Sequence, residues 1–245
     1  MSAKYKSPSF LLPNEINTNA NPLNTDGDPA TGTGINSLYS MDFDSTKKIS
    51  NITGLGLGTS VDTFSISLWF YKSNMNYAIV FSAYSGSGSY FQTGVAIELN
   101  TDGTIMFFNG TARTTTSSQY NINTWYNLVV TSDGTTVKMY VNGSQVTLDS
   151  TTAQARNFTN VWINSGAYGA SNFGITGKID EVAIFNRALD STEIPALYGG
   201  TSPNIYPSNL IASNLNPIAY YPLGEQAQNT GYLGNEITNG WQFPN

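Results

Sequence analysis

Between Phe64 and Phe70 apolar and polar positions alternate, with Phe64, Ile66, Leu68 and Phe70 on one side of an extended chain and Ser65, Ser67 and Trp69 on the other. This pattern predicts a strand that turns four apolar side chains to one sheet face while Trp69 covers the opposite face. Further short runs of strand-forming residues are separated by Asp102-Gly103, Asp133-Gly134 and Asn142-Gly143, pairs that supply the positive φ of tight hairpins. Val95–Leu99 is therefore expected to pair with Thr104–Phe108. Trp125–Thr131, Val137–Val141 and Ser144–Leu148 are expected to form a second meander. Shorter strands are expected at Leu38–Phe43, Tyr77–Ser82, Val161–Ile163 and Lys178–Phe185. The spacing reads as an all-β, antiparallel two-sheet sandwich.

One helical signal interrupts the strands, at Asp190-Ser-Thr-Glu193. Asp190 can cap free amides there while Glu193 reaches back, the reciprocal arrangement of a capping box. The helix must be short, because Pro195 is tolerated only in the first turn and Gly199-Gly200 follows Leu197 and Tyr198.

Composition narrows the chemistry. The 245 residues include no cysteine and no histidine, which removes thiolate nucleophiles, Cys-ligated metals, the Ser-His-Asp arrangement and imidazole ligands. No cofactor is required. The formal charge is -6 with only ten Lys and Arg, so a nucleic-acid partner is not expected. Nor does the chain hold a run of about 18 apolar residues for membrane insertion. Its first residues lack the apolar core of a secretory signal, and the expectation is a protein that stays where it is made.

The run Phe64-Ser-Ile-Ser-Leu-Trp-Phe70, the segment Trp125–Gly134, the run Val137-Lys-Met-Tyr-Val-Asn-Gly143 and the closing Gly177–Asp190 stretch occur in that order. Together they resemble the laminin-G-like branch of the concanavalin A-like lectin and glucanase superfamily, over roughly Leu38–Tyr198. The resemblance implies a jelly-roll sandwich with one short C-terminal helix. It does not imply catalysis: glycoside hydrolases on this fold resemble one another in a Glu-x-Asp-x-x-Glu strand. The nearest counterpart here is Asp180-Glu181, with no third carboxylate, and alternation along a strand sends neighbours to opposite faces. The chain is therefore read as a non-enzyme.

Two sets of candidate contact residues emerge. The segments Tyr71–Tyr90 and Asn164–Phe173 are rich in Tyr, Ser, Gly and Asn. Tyr77, Tyr84, Tyr90 and Tyr168 are the glycan-contact candidates, with half-buried rim packing as the competing reading. Asp180 reads either as the anchor of a turn or, with Asp42 and Asp44, as part of a calcium site in which oxygens converge if the first and last core strands are neighbours.

The division expected is an extended arm over 1–37, the sandwich over 38–200, and an arm or linker over 201–245. Pro8, Pro13, Pro22 and Pro29 give the first stretch the composition of an arm ordered against a partner. Within the last, Ile218–Glu225 resembles the opening strand of a laminin-G-like domain, which normally precedes the core. The chain's own strand fills the gap, the sequence is one unit of a tandem array, or the strand passes to a neighbouring subunit. An adhesive sandwich without cysteines or export signal points to a virion component assembled in the host cytoplasm, such as a capsid decoration, tail or fibre subunit. Its expected partners are other virion subunits, including copies of itself, and host-surface glycan. The alternative is an extracellular carbohydrate-binding module of a bacterial surface protein, and a glycosidase is third.

Overall fold

The computed structural model describes residues 40–45, 48–85, 93–110, 112–165, 173–198, 215–221 and 223. Among them thirteen strands and one short helix form two antiparallel sheets packed face to face. The seven-stranded sheet contains β1 (Met41–Phe43), β3 (Thr63–Lys72), β8 (Trp125–Asp133), β9 (Val137–Val141), β10 (Ser144–Gln145), β12 (Gly177–Phe185) and β13 (Ala219–Tyr221). Its order is β1-β12-β3-β8-β9-β10, and β13 also pairs with β12. The six-stranded sheet runs β2 (Ile49–Ile52), β11 (Asn160–Ile163), β4 (Ala78–Tyr84), β5 (Val95–Leu99), β6 (Ile105–Asn109) and β7 (Ala112–Thr115).

The alternation in β3 has the consequence expected of it. Phe64, Ile66, Leu68 and Phe70 enter the core between the sheets, while Trp69 joins a second cluster on the other side. Phe64 reaches across to Phe107 and Phe158, with ring centroids 6.1 and 4.8 Å away. The hairpins also follow the turn chemistry. Asn142 and Gly143 both take positive φ, 51° and 76°, between β9 and β10, which pair directly.

The capping box is present in full: Asp190 Oδ1 accepts the amides of Thr192 and Glu193, at 2.8 and 3.1 Å, and Glu193 Oε2 accepts the Asp190 amide at 2.9 Å. It starts α1 (Ile194–Tyr198). Ile194 and Leu197 of α1 pack with Trp69, Val129, Phe185 and Tyr220, so the outer face of the seven-stranded sheet carries its own small core.

Strands β2 and β7 were not legible in the sequence. They are the two edges of the six-stranded sheet, and Ile-Ser-Asn-Ile and Ala-Arg-Thr-Thr offer little of the apolar alternation that marks a buried strand.

The strand resembling an opening strand lies on its own chain. β13 runs antiparallel to β12 with Ala219, Tyr220 and Tyr221 opposite Ile184, Ala183 and Val182. Tyr221 faces the main core and Tyr220 the second cluster, both at 0 % exposure.

Candidate functional site

On the six-stranded sheet the side chains not spent on the main core form an outer face. Register aligns Trp162, Ser82, Ala96, Phe108 and Arg113 across five strands. Ile79, Tyr84, Ala96, Phe108 and Trp162 make an apolar floor, with Tyr77 packed against it. Tyr84 and Trp162 stack nearly parallel, centroids 3.9 Å apart at 6°. Both are buried, and burial raises the Tyr84 phenol above its ordinary pKa. The Arg113 guanidinium sits 5.7 Å over the Phe108 ring.

At the β4 end the floor gives way to an open aromatic pair. Tyr77, half-buried, meets Phe173 edge to face at 5.7 Å and 83°. Phe173 is 48 % exposed, and its carbonyl accepts the Ile79 amide at 2.5 Å, which ties it to the start of β4. An edge-to-face pair with one ring in solvent presents an apolar face.

Of the four tyrosines singled out from the sequence, the structure brings Tyr77 and Tyr84 to this one face. Tyr90 and Tyr168 lie outside the described residues. Phe173 and Trp162 are not singled out by the sequence, in which the Tyr-, Ser-, Gly- and Asn-rich runs draw attention to tyrosines. Phe173 lies at the end of the Asn164–Phe173 segment, and only the fold shows that it meets Tyr77.

β1 and β12 are neighbours, as the calcium reading required, and no group of three acidic side chains able to hold a metal occurs among the described residues. Asp42 stands directly opposite Lys178 and pairs with its ammonium at 3.7 Å. Asp44 is exposed beyond the end of β1, whereas Asp180 is wholly buried and its Oδ1 accepts the Glu181 amide at 2.8 Å.

The alternation argument for Asp180 and Glu181 also fails locally. The register between β12 and β3 shifts between Asp180 and Ala183, and Glu181 takes φ +51°. Such a shift is a β-bulge, in which two residues face one on the partner strand and the inside–outside sequence slips by one. Glu181 therefore does not point simply away from Asp180. Its Oε2 accepts the hydroxyl of Tyr220, a member of the second cluster. Both acids are 1 % exposed or less.

A further ionisable group went unmarked in the sequence. Lys72 is 5 % exposed at the end of β3, and its ammonium donates to the carbonyls of Asn100 at 3.1 Å and Leu99 at 3.5 Å in the opposite sheet. Burial lowers its pKa from 10.5 to about 8, against the opposing pull of the Asp102 carboxylate. It lines a small cleft with Phe70, Thr104 and Tyr120.

Comparison with known proteins gives a consistent picture of the fold. A putative carbohydrate binding protein from Bacteroides ovatus is similar at TM-score 0.52 and 13 % identity, covering 77 % of this chain and 51 % of that one. The CBM40 of the Ruminococcus gnavus IT-sialidase, solved bound to α2,3 sialyllactose, is similar at 0.50 and 11 %, over 67 % of this chain and 100 % of its own. A SAP-like pentraxin from Limulus polyphemus is similar at 0.43 and 16 %, over 64 % and 83 %. A search of curated proteins finds no match in sequence. At these identities the structural likenesses speak for the fold alone. A family model, however, matches residues 45–195, more than half of the chain, and the protein belongs to the concanavalin A-like lectin/glucanases superfamily.

Proposed function

We propose that this chain is a non-catalytic adhesive module that contacts glycan through the outer face of its six-stranded sheet. The observation that carries the reading is the Tyr77–Phe173 pair, with Phe173 48 % exposed beside a packed aromatic floor. A sugar ring stacks its C–H face on an exposed aromatic ring while neighbouring hydroxyls and amides take its polar edge. Two structural neighbours, a putative carbohydrate binding protein and a CBM40 bound to sialyllactose, support the same class of ligand. Burial of Asp180 and Glu181 supports the absence of turnover, since hydrolysis needs two carboxyls open to substrate and water.

Titration calorimetry of the full chain with ligands chosen from a glycan array tests the reading. Phe173→Ala and Tyr77→Ala are each expected to weaken binding about tenfold, the loss of about 1.4 kcal/mol of stacking. Tyr84→Ala is expected instead to lower the melting temperature by removing the stack on Trp162. Undiminished binding in both rim variants, or sustained polysaccharide hydrolysis lost in Glu181→Gln, would sink it.

The proposed setting is the surface of a virion, as a capsid-decoration, tail or fibre subunit. It is supported by an adhesive-type fold with no cysteine and by Pro-, Asn- and Thr-rich residues 1–37, a composition suited to an arm laid on neighbouring subunits. Absence of the chain from purified particles would favour the bacterial surface module instead.

A further inference from the structure

The same edge of β12 is occupied twice. β1 covers Gly177–Ile179 and β13 covers Val182–Ile184, both antiparallel to β12 and therefore parallel to each other. They lie end to end with the Asp180–Glu181 bulge between them, so one strand position is built from residues 41–43 and 219–221. The C-terminal piece carries much apolar surface for its length. Leu215, Ala219, Tyr220, Tyr221 and Leu223 are all 1 % exposed or less. Three of its hydrogen bonds go to β12 and the loop after it: the Ile218 amide to the Ile184 carbonyl at 2.8 Å, the Tyr220 hydroxyl to Glu181, and the Leu215 carbonyl from Arg187 at 3.0 Å.

The receiving groove is made by β12, β3 and α1. It cannot stand empty, because that would expose Trp69 and Phe185 and leave the edge of β12 unpaired beside the buried Glu181. A tenant is required, and the groove does not distinguish one copy's strand from another's. Residues 199–214 join α1 to the docking segment, a length of chain that can extend to about 50 Å. A connection of that length permits docking on a second copy.

We propose that residues 215–223 are an exchangeable donor segment, docking on β12 of a second copy of this chain and linking subunits into a homo-oligomer. Exchange keeps every contact of the closed form, so the balance between forms is set by protein concentration against the effective concentration of the chain's own segment. The inference stands whether or not the opposite face binds sugar.

The chain lacks cysteine, which makes a trapping experiment direct. Ile184 and Ala219 are Cα partners across β12 and β13. Full-length Ile184→Cys and Ala219→Cys variants, each checked for native circular dichroism, are mixed and oxidised. A disulfide-linked heterodimer that increases with concentration is the expected result, because the two cysteines meet only when one copy's β13 lies on the other's β12. Light scattering of the unaltered chain after refolding at high concentration provides a second readout that needs no substitution. A mass at least twice the 26.4 kDa of one chain is expected. A single-chain mass at every concentration, or a dilute double variant that cross-links only within itself while the mixture gives no heterodimer, overturns the proposal.

Discussion

Lys72 shows how one side chain can couple the two layers at a cost. Its ammonium is removed from water, bonded to carbonyls of the opposite sheet, and held down to a pKa of about 8 by burial. Because the folded pKa is lower than the unfolded one, the unfolded chain holds more protons between about pH 8 and 10.5. Stability contributed by this site therefore rises as pH rises through that window, and below it the folded state carries the whole cost of burying the charge. Chemical denaturation of Lys72→Met across pH 7–10.5 is expected to lose that rise relative to the parent. An unchanged pH profile would show that Lys72 does not bear the cost. Nothing in the sequence around Lys72 announced this, because burial here depends on the β5–β6 turn meeting the end of β3 from the other sheet. The rim Phe173 escaped notice for a related reason: a lone Phe reads as core until the fold leaves it in solvent.

At the scale of elements, β12 and α1 carry the lesson. α1 is only five residues long, too short to persist by itself, and it depends on its cap and on packing over Trp69. Trp69 stacks on Tyr198 of α1, centroids 5.7 Å apart. Asp190→Ala is expected to cost about 1 kcal/mol by releasing amides at the helix start, seen as a lower denaturation midpoint with a weakened near-ultraviolet signal from the Trp69–Tyr198 stack. An unaltered midpoint would mean that packing alone holds the helix. This cap was legible because its donors and acceptors lie within four residues. The bulge in β12 was not. An αL residue there is a compromise that lets Ile179, Val182 and Ile184 all reach the main core while Ala183 and Phe185 reach the second, and a period-two reading of the strand has no means of seeing the slip.

For the whole molecule, the decisive feature is that the layers share one core. Phe64 from β3 is wedged against Phe107 and Phe158 on the six-stranded side, and Tyr221 adds to the same interior from the other end of the described chain. The sheets are thus expected to unfold together. Denaturation followed by tryptophan fluorescence and by far-ultraviolet circular dichroism should give coincident curves. Separated midpoints would divide the sandwich into independently stable layers. Beyond the shared core, one sheet carries the Tyr77–Phe173 rim proposed to contact sugar and the other receives the C-terminal strand.

The sequence by itself determined the sandwich class, most strand positions, the hairpin turns, the helix cap and the inward set of β3. Each of these rests on residues a few positions apart, where alternation, positive φ and side-chain capping act without reference to the rest of the chain. Only the tertiary structure decided that Asp42 would meet Lys178, that Glu181 would be buried against Tyr220, that β2 and β7 would close the second sheet, and that residues 219–221 would complete the edge begun by residues 41–43. Those outcomes depend on which distant segments share a surface. That is settled by burying apolar area and satisfying the polar groups buried with it across the whole molecule, and no local pattern encodes it.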